Sequence, residues 1–140
     1  MTDFVAYHNP DPSPDGMGYA ATEIDTSRGF QVLTRKPLGQ IVGSRVWLVT
    51  GEGRPRRYSL VYTFVADEIS PSEHPDFRFE VSGRSGRRFR RPIPLDSALW
   101  LRSLLRVTGN FGLGLQPISD AEVVAGLESV AALDDVRPAF

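Results

Sequence analysis

Five arginines, Arg84, Arg87, Arg88, Arg90 and Arg91, fall within eight consecutive positions that hold no acid. Guanidinium groups match phosphate oxygens in charge and geometry, so a cluster of this density suits a polyanion better than a small neutral ligand. Arg54, Arg56 and Arg57, just after Gly51-Glu52-Gly53, form a second basic group. These eight side chains are the candidates for holding a nucleic-acid backbone. If about five of them neutralise phosphates, log affinity falls with log salt at a slope of about −4.5, an attraction without sequence preference.

A second chemistry lies in aromatic and amide residues. Tyr7, His8 and Asn9 lead into a loop that returns at Met17-Gly18-Tyr19, bringing together two π faces, an imidazole and an amide able to make paired hydrogen bonds. Such parts stack on a planar base and read its edge. Equally, the two tyrosines fill the rim of a core while Asn9 makes a turn before Pro10. Trp47 shares a strand face with Arg45, opposite Val46 and Leu48. That face is either accessible to a base or covered by a helix. Asn110-Phe111, held before Gly112, completes the candidate pocket set, or else is a helix cap followed by a packing ring.

Catalytic chemistry finds little support. The histidines are His8 and His74, neither with a His, Cys or paired-acid neighbour at metal-ligand spacing, and there is no Cys. No Gly-x-Ser-x-Gly elbow is present, and Gly51-x-Gly53 and Gly112-x-Gly114 do not complete a phosphate loop. We expect no cofactor, no metal and no reaction. An enzyme using Arg45, Arg57 and Arg102 as anion clamps would lack a general base. The other non-catalytic reading is a regulatory module whose cationic hairpin docks on an acidic partner.

The whole-chain charge of −1 hides segregation. Residues 28 to 106 carry 15 basic and 7 acidic side chains, whereas the two ends carry 1 and 10. The preference for Arg over Lys, 15 to 1, has the look of coding bias, which does not explain clustering. The 140 residues suffice for one domain, 1–140, with its own core and no staple. No apolar run approaches the roughly 18 residues of a membrane span, and Met1-Thr2-Asp3 opens no basic leader, so a cytoplasmic protein is expected.

The positioning elements follow from Pro and Gly punctuation. Strands are expected at Phe4 to His8, Phe30 to Thr34, Arg45 to Thr50 and Tyr58 to Ala66, with one helical turn possible over Pro37 to Val42. Tyr58, Leu60, Tyr62 and Phe64 should point one way and Val61 and Val65 the other, so this strand needs cover on both faces. Phe77 to Ser82 alternates apolar and polar, and Gly83 to Gly86 turns it into Arg87 to Arg91, placing the cationic cluster on a hairpin tip and return strand beside the pocket. Asp96 should cap a helix ending at Gly109, with Leu95 and Trp100 as its staple. A second helix should start at Ser119 with Glu122 in a capping box and dock through Val123, Leu127, Val130 and Ala131.

Gly43-Ser44-Arg45-Val46-Trp47-Leu48-Val49, a turn, and Tyr58-Ser59-Leu60-Val61-Tyr62-Thr63-Phe64-Val65-Ala66 resemble the central hairpin of PUA-like domains, especially the EVE branch. The family pattern has Asp where Ser44 stands, and the usual first-strand Trp is absent. Tyr7-His8-Asn9 to Met17-Gly18-Tyr19 is similar to the opening of EVE-like modules fused to nucleases in modification-dependent restriction. The resemblance implies an α+β fold: a small PUA-like β-barrel of five to six strands with two C-terminal helices packed on it. It also implies a reader of a flipped, modified base in DNA rather than RNA, partnered by a fused or associated nuclease. An RNA-binding PUA or ASCH-type role is the nearest variant.

Overall fold

The computed structural model describes residues 2–9, 26–36, 40–53, 55–111 and 114–133. The strands are β1 (Asp3–His8), β2 (Phe30–Thr34), β3 (Arg45–Glu52), β4 (Arg57–Val65), β5 (Glu68–Pro71), β6 (Phe79–Gly83) and β7 (Gly86–Pro94). Helix α1 (Leu101–Val107), strand β8 (Gln116–Ile118) and helix α2 (Ala121–Leu133) follow.

Two sheets result, ordered β7-β4-β3-β1-β8 and β2-β6-β5, and they do not close into one barrel. Strands β1 and β3 run parallel, with Asp3 beside Arg45 and His8 beside Thr50; the other pairings are antiparallel. One core fills the space between the sheets, where Phe4, Val46, Tyr62, Phe64 and Val81 meet. The Tyr62 hydroxyl crosses this layer and donates to the Gln31 carbonyl at 2.6 Å. The second core lies on the other face of the large sheet, where Val5, Trp47, Leu60, Leu104 and Leu127 are buried beneath the helices. Each such side chain, fully removed from water, contributes roughly 1.5–3 kcal/mol before conformational entropy is subtracted. Alternation along β1 and β3 thus serves both cores, which is why Phe4 to Ala6 and Val46 to Val49 are apolar on both faces.

Several expectations are corrected. Tyr58, Leu60, Tyr62 and Phe64 do not share a face: Tyr58 and Leu60 belong to the helix-side core and Tyr62 and Phe64 to the inter-sheet core. Against β3, β4 carries one extra residue between Leu60, beside Val49, and Tyr62, beside Leu48, and this bulge shifts the pleat. Among the described residues eight strands form rather than five or six, because Glu68–Pro71 and Gln116–Ile118 take their strand character from pairing with β6 and β1. Helix α1 is shorter than expected and has no side-chain cap. The Asp96 carboxylate instead accepts from the Tyr58 N–H at 3.3 Å, which leaves residues 96–100 as turns. Asp120, not Ser119, caps α2, accepting from the N–H groups of Glu122 and Val123 at 2.9 and 3.3 Å. Val123, Leu127 and Ala131 face the core as expected, with Val130 packed at its edge. The turn expected over Pro37 to Val42 falls partly outside the described residues, and none of 40–42 is helical.

Candidate nucleic-acid interface

Strand register brings the C-terminal ends of β1 and β3 to the same edge of the sheet as the start of β4 and the end of β7. Three rings gather there. Tyr7 and Phe111 stack with centroids 4.7 Å apart and planes 10° from parallel, and Tyr58 tilts against both, at 6.3 Å from Tyr7 and 5.4 Å from Phe111. Phe111 is buried, whereas Tyr7 and Tyr58 remain half-buried.

The loop after α1 is bent to deliver Phe111. Gly109, Asn110 and Phe111 all have left-handed backbones, with φ of 58°, 55° and 64°. Such a conformation is ordinary for glycine, tolerated by Asn and unfavourable for Phe. The surroundings enforce it. The buried Thr108 hydroxyl donates to the Leu104 carbonyl at 2.8 Å and accepts from the Phe111 N–H at 3.2 Å, while the Asn110 N–H reaches the Leu105 carbonyl at 2.7 Å. The Asn110 residue is left exposed beside the rings. Strain held in this way often marks a working surface.

Polar groups frame the other side. The Thr50 hydroxyl donates to the His8 carbonyl at 3.1 Å. The Arg56 guanidinium donates to the Gly51 carbonyl at 3.1 Å and reaches the Asn9 side-chain oxygen at 3.5 Å. A Cβ at Gly51 would collide with the Tyr7 hydroxyl and the Arg56 stem, so a side chain there would push both away. Thus Tyr7-His8-Asn9 and Asn110-Phe111, grouped in one candidate pocket from the sequence, come to one edge, where the Tyr7–Phe111 stack joins the two segments. Arg56 and Tyr58 join them. Tyr19 and Arg54 lie outside the described residues.

Trp47 does not join them. It shares a face with Arg45 as expected, but that face is covered by the helices and Trp47 is 1% exposed. The Arg45 guanidinium sits 4.8 Å over the indole and is clamped by Asp3 at 2.8 Å and Glu128 at 3.0 Å. The Asp3 hydrogen bond raises the Arg45 pKa above its ordinary value, outweighing the partial burial that lowers it. Trp47 is a core residue, and its indole N–H has no hydrogen-bond partner among the described residues.

The basic segment also departs from expectation: β6 pairs with β2 and β5 in the small sheet and β7 with β4 in the large one, so the expected hairpin is instead a connection between the two sheets. Its tip, with exposed Arg84, is at the end of the sheet opposite the aromatic rings, since Gly86 pairs with Phe64 while Pro94 pairs with Ser59. Five residues of β4 separate those levels, roughly 17 Å. The Arg84 N–H is held by the Asp67 carboxylate at 2.8 Å. Arg87 lies 5.5 Å over the Phe89 ring, and Arg88 donates to the Thr26 hydroxyl at 3.3 Å. Between the pairs Leu60–Ile93 and Tyr62–Arg88, β4 advances two residues and β7 five, so β7 bulges outward. Phe89 turns into the core there, and Arg90 and Arg91 are exposed. These two, with exposed Arg57, are the basic residues nearest the aromatic end among those singled out for backbone contact and not already in it.

Sequence reasoning missed Tyr58, which it placed on the core face of β4, and the Arg56–Asn9 contact. Its usable signal was Gly51, a buried glycine in a strand where neighbouring side chains must pass close to the backbone. Among the described residues no cluster of three or more metal-ligating side chains occurs, and no helix is long and apolar enough to cross a membrane. A groove bounded by Asp3, Ile118, Val124 and Glu128 lies at the opposite end from the rings.

No protein-family model matches the sequence, and no curated protein matches it. Solved structures do. The human THYN1 protein in complex with 5-methylcytosine-containing DNA is similar at 12% identity, with a TM-score of 0.55 over 99% of this chain and 100% of that one. The DUF55 domain of human thymocyte nuclear protein 1 is similar at 12% identity, with a TM-score of 0.53 over 96% and 99% of the two chains. The chain therefore has an α+β fold of the EVE/PUA-like kind, with its two helices C-terminal.

Proposed function

We propose that this chain is a DNA-binding module that reads a modified base extruded from the duplex, and that it carries no reaction of its own. One observation carries the reading: the fold matches, over nearly its whole length, a protein solved on 5-methylcytosine-containing DNA. The gathered Tyr7, Tyr58 and Phe111 rings beside the Asn9 and Asn110 amides give that reading a chemistry.

In this reading the base stacks at the aromatic edge, and Asn110 and Asn9 hydrogen-bond its exposed rim. His8 lines the approach, and Tyr19 is assigned to the same pocket. Stacking one base gains about 1–3 kcal/mol, close to the few kcal/mol needed to unstack it from a duplex. Extrusion is then nearly balanced, so a base change that weakens pairing or adds contact area decides occupancy. Arg56, Arg57, Arg90 and Arg91 hold the phosphates flanking that base. Arg54, Arg84, Arg87 and Arg88 extend the field along the duplex. Cleavage belongs to a fused or associated nuclease in a cytoplasmic restriction system, and the module covers residues 1–140.

Fluorescence-anisotropy titration with plain and cytosine-methylated duplexes, repeated over several salt concentrations, tests this. Tighter binding to the methylated duplex at every salt is expected. Equal binding removes the base reader, and no binding at low salt removes the nucleic-acid module.

A further inference from the structure

Leu99 is 93% exposed, the most exposed large apolar side chain among the described residues. Its position is fixed from both sides. Leu95, four residues before it, is buried, and Asp96 ties the turn to the Tyr58 N–H at 3.3 Å. Trp100, the next residue, packs so closely on Gly126 of α2 that a Cβ there would collide with the indole. With its neighbours anchored inward, Leu99 is held out in solvent by a rigid turn.

In α1, which begins two residues later, Arg102 and Arg106 lie four apart and are both exposed, so their side chains share one face of the helix whose entry turn carries Leu99. No hydrogen bond or ion pair engages the side chain of Arg102 or of Arg106 among the described residues. The acid of this segment, Asp96, has its carboxylate turned to Tyr58. That face is thus cationic, with one projecting apolar tip in the turn before it, and it sits on the helix whose far end delivers Asn110 and Phe111 to the aromatic edge.

We infer that this face of α1, with the turn that leads into it, is a duplex-docking surface, in which Leu99 wedges into the base stack while Arg102 and Arg106 grip neighbouring phosphates. The inference rests on the proposed DNA reading and deepens it. A protein that draws one base out of a stack must stabilise the opened step, and apolar side chains inserted between bases do so. Two unpaired guanidinium groups on the same face match a phosphate backbone in charge. An exposed leucine with no such flanking charge would fit a protein surface equally well; the flanking charge selects nucleic acid.

The test compares the parent with Leu99→Ala and with the double variant Arg102→Ala, Arg106→Ala, each titrated with a methylated duplex and with the same modified strand single-stranded. A single strand has no stack to hold open. Leu99→Ala should weaken duplex binding about ten-fold and leave single-strand binding unchanged. The double variant should lower the duplex salt slope by about 1.8. Duplex affinity and slope equal to the parent in both variants would overturn the inference while leaving the DNA reading intact. Equal weakening on duplex and single strand would also overturn the wedge, as would a Leu99→Ala change in sedimentation that assigns the face to self-association. A parent that binds neither nucleic acid removes the DNA reading itself, and the wedge with it.

Discussion

Tyr7, the fifth residue of β1, and Phe111, in the loop after α1, lie face to face at 4.7 Å and 10°. The contact joins the sheet to the helical layer at the edge where the amides collect. Three successive left-handed residues are needed to make it, and one buried hydroxyl secures them. Thr108→Val keeps the shape and removes that hydroxyl, leaving the Phe111 N–H buried without its partner. Chemical denaturation should show a loss of about 1–3 kcal/mol. A stability equal to the parent would mean that the loop is held by its packing alone.

Asn110 separates strain from recognition. Glycine adopts a φ of 55° without penalty, so Asn110→Gly should leave the melting temperature unchanged or slightly raised. The same change deletes the exposed amide. Preference for a methylated over a plain duplex should fall by about 1–3 kcal/mol, the worth of a good paired contact to a base edge. Retained preference assigns base reading to other residues.

Arg45 is structural, and its partners differ in weight. Asp3 is buried and Glu128 is exposed. Arg45→Met leaves the Asp3 carboxylate buried without its partner and should cost about 2 kcal/mol, less than a fully buried pair because Arg45 is partly in solvent. Glu128→Gln should cost below about 1 kcal/mol. Equal losses from the two changes would show that burial does not set the strength of this network.

Trp47 offers a matching control. Trp47→Phe keeps an aromatic filler and removes the unpartnered indole N–H, so the domain should fold and retain any modified-base preference. Selective loss of that preference, measured by the same titration, would return Trp47 to the pocket.

The strands β1 to β4, β6 and β7 and both helices were legible because short-range signals encode them: alternation, Pro and Gly punctuation, and clustered charge. What was illegible depends on pairing. Gln116–Ile118 and Glu68–Pro71 are strands because β1 and β6 offer them edges, and no local pattern announces that. Asp96 has the residue type of a helix cap, yet its carboxylate is captured by a Tyr58 N–H that lies 38 positions earlier. Periodicity put Trp47 and Arg45 on one face correctly but could not say that α2 covers it. The same limit applies to the cationic turn: its charge was visible, but the separation of β6 and β7 into different sheets, and the place of the turn at the far end of the large sheet, follow from pairing. At the candidate site the residue types were legible, whereas the Tyr7–Phe111 stack and the entry of Tyr58 follow from register and a left-handed loop that no local pattern announces.

The central claim is a division of labour, in which arginines attract the polymer and the aromatic edge inspects one base. Salt-dependent titrations of methylated and plain duplexes with Tyr7→Leu, and with the double variant Arg90→Ala, Arg91→Ala, test it most directly. Tyr7→Leu keeps an apolar filler, so it should bring the two affinities together without changing the salt slope. The double variant should weaken both duplexes alike and lower the slope by about 1.8. Both variants altering preference and slope together would contradict the account.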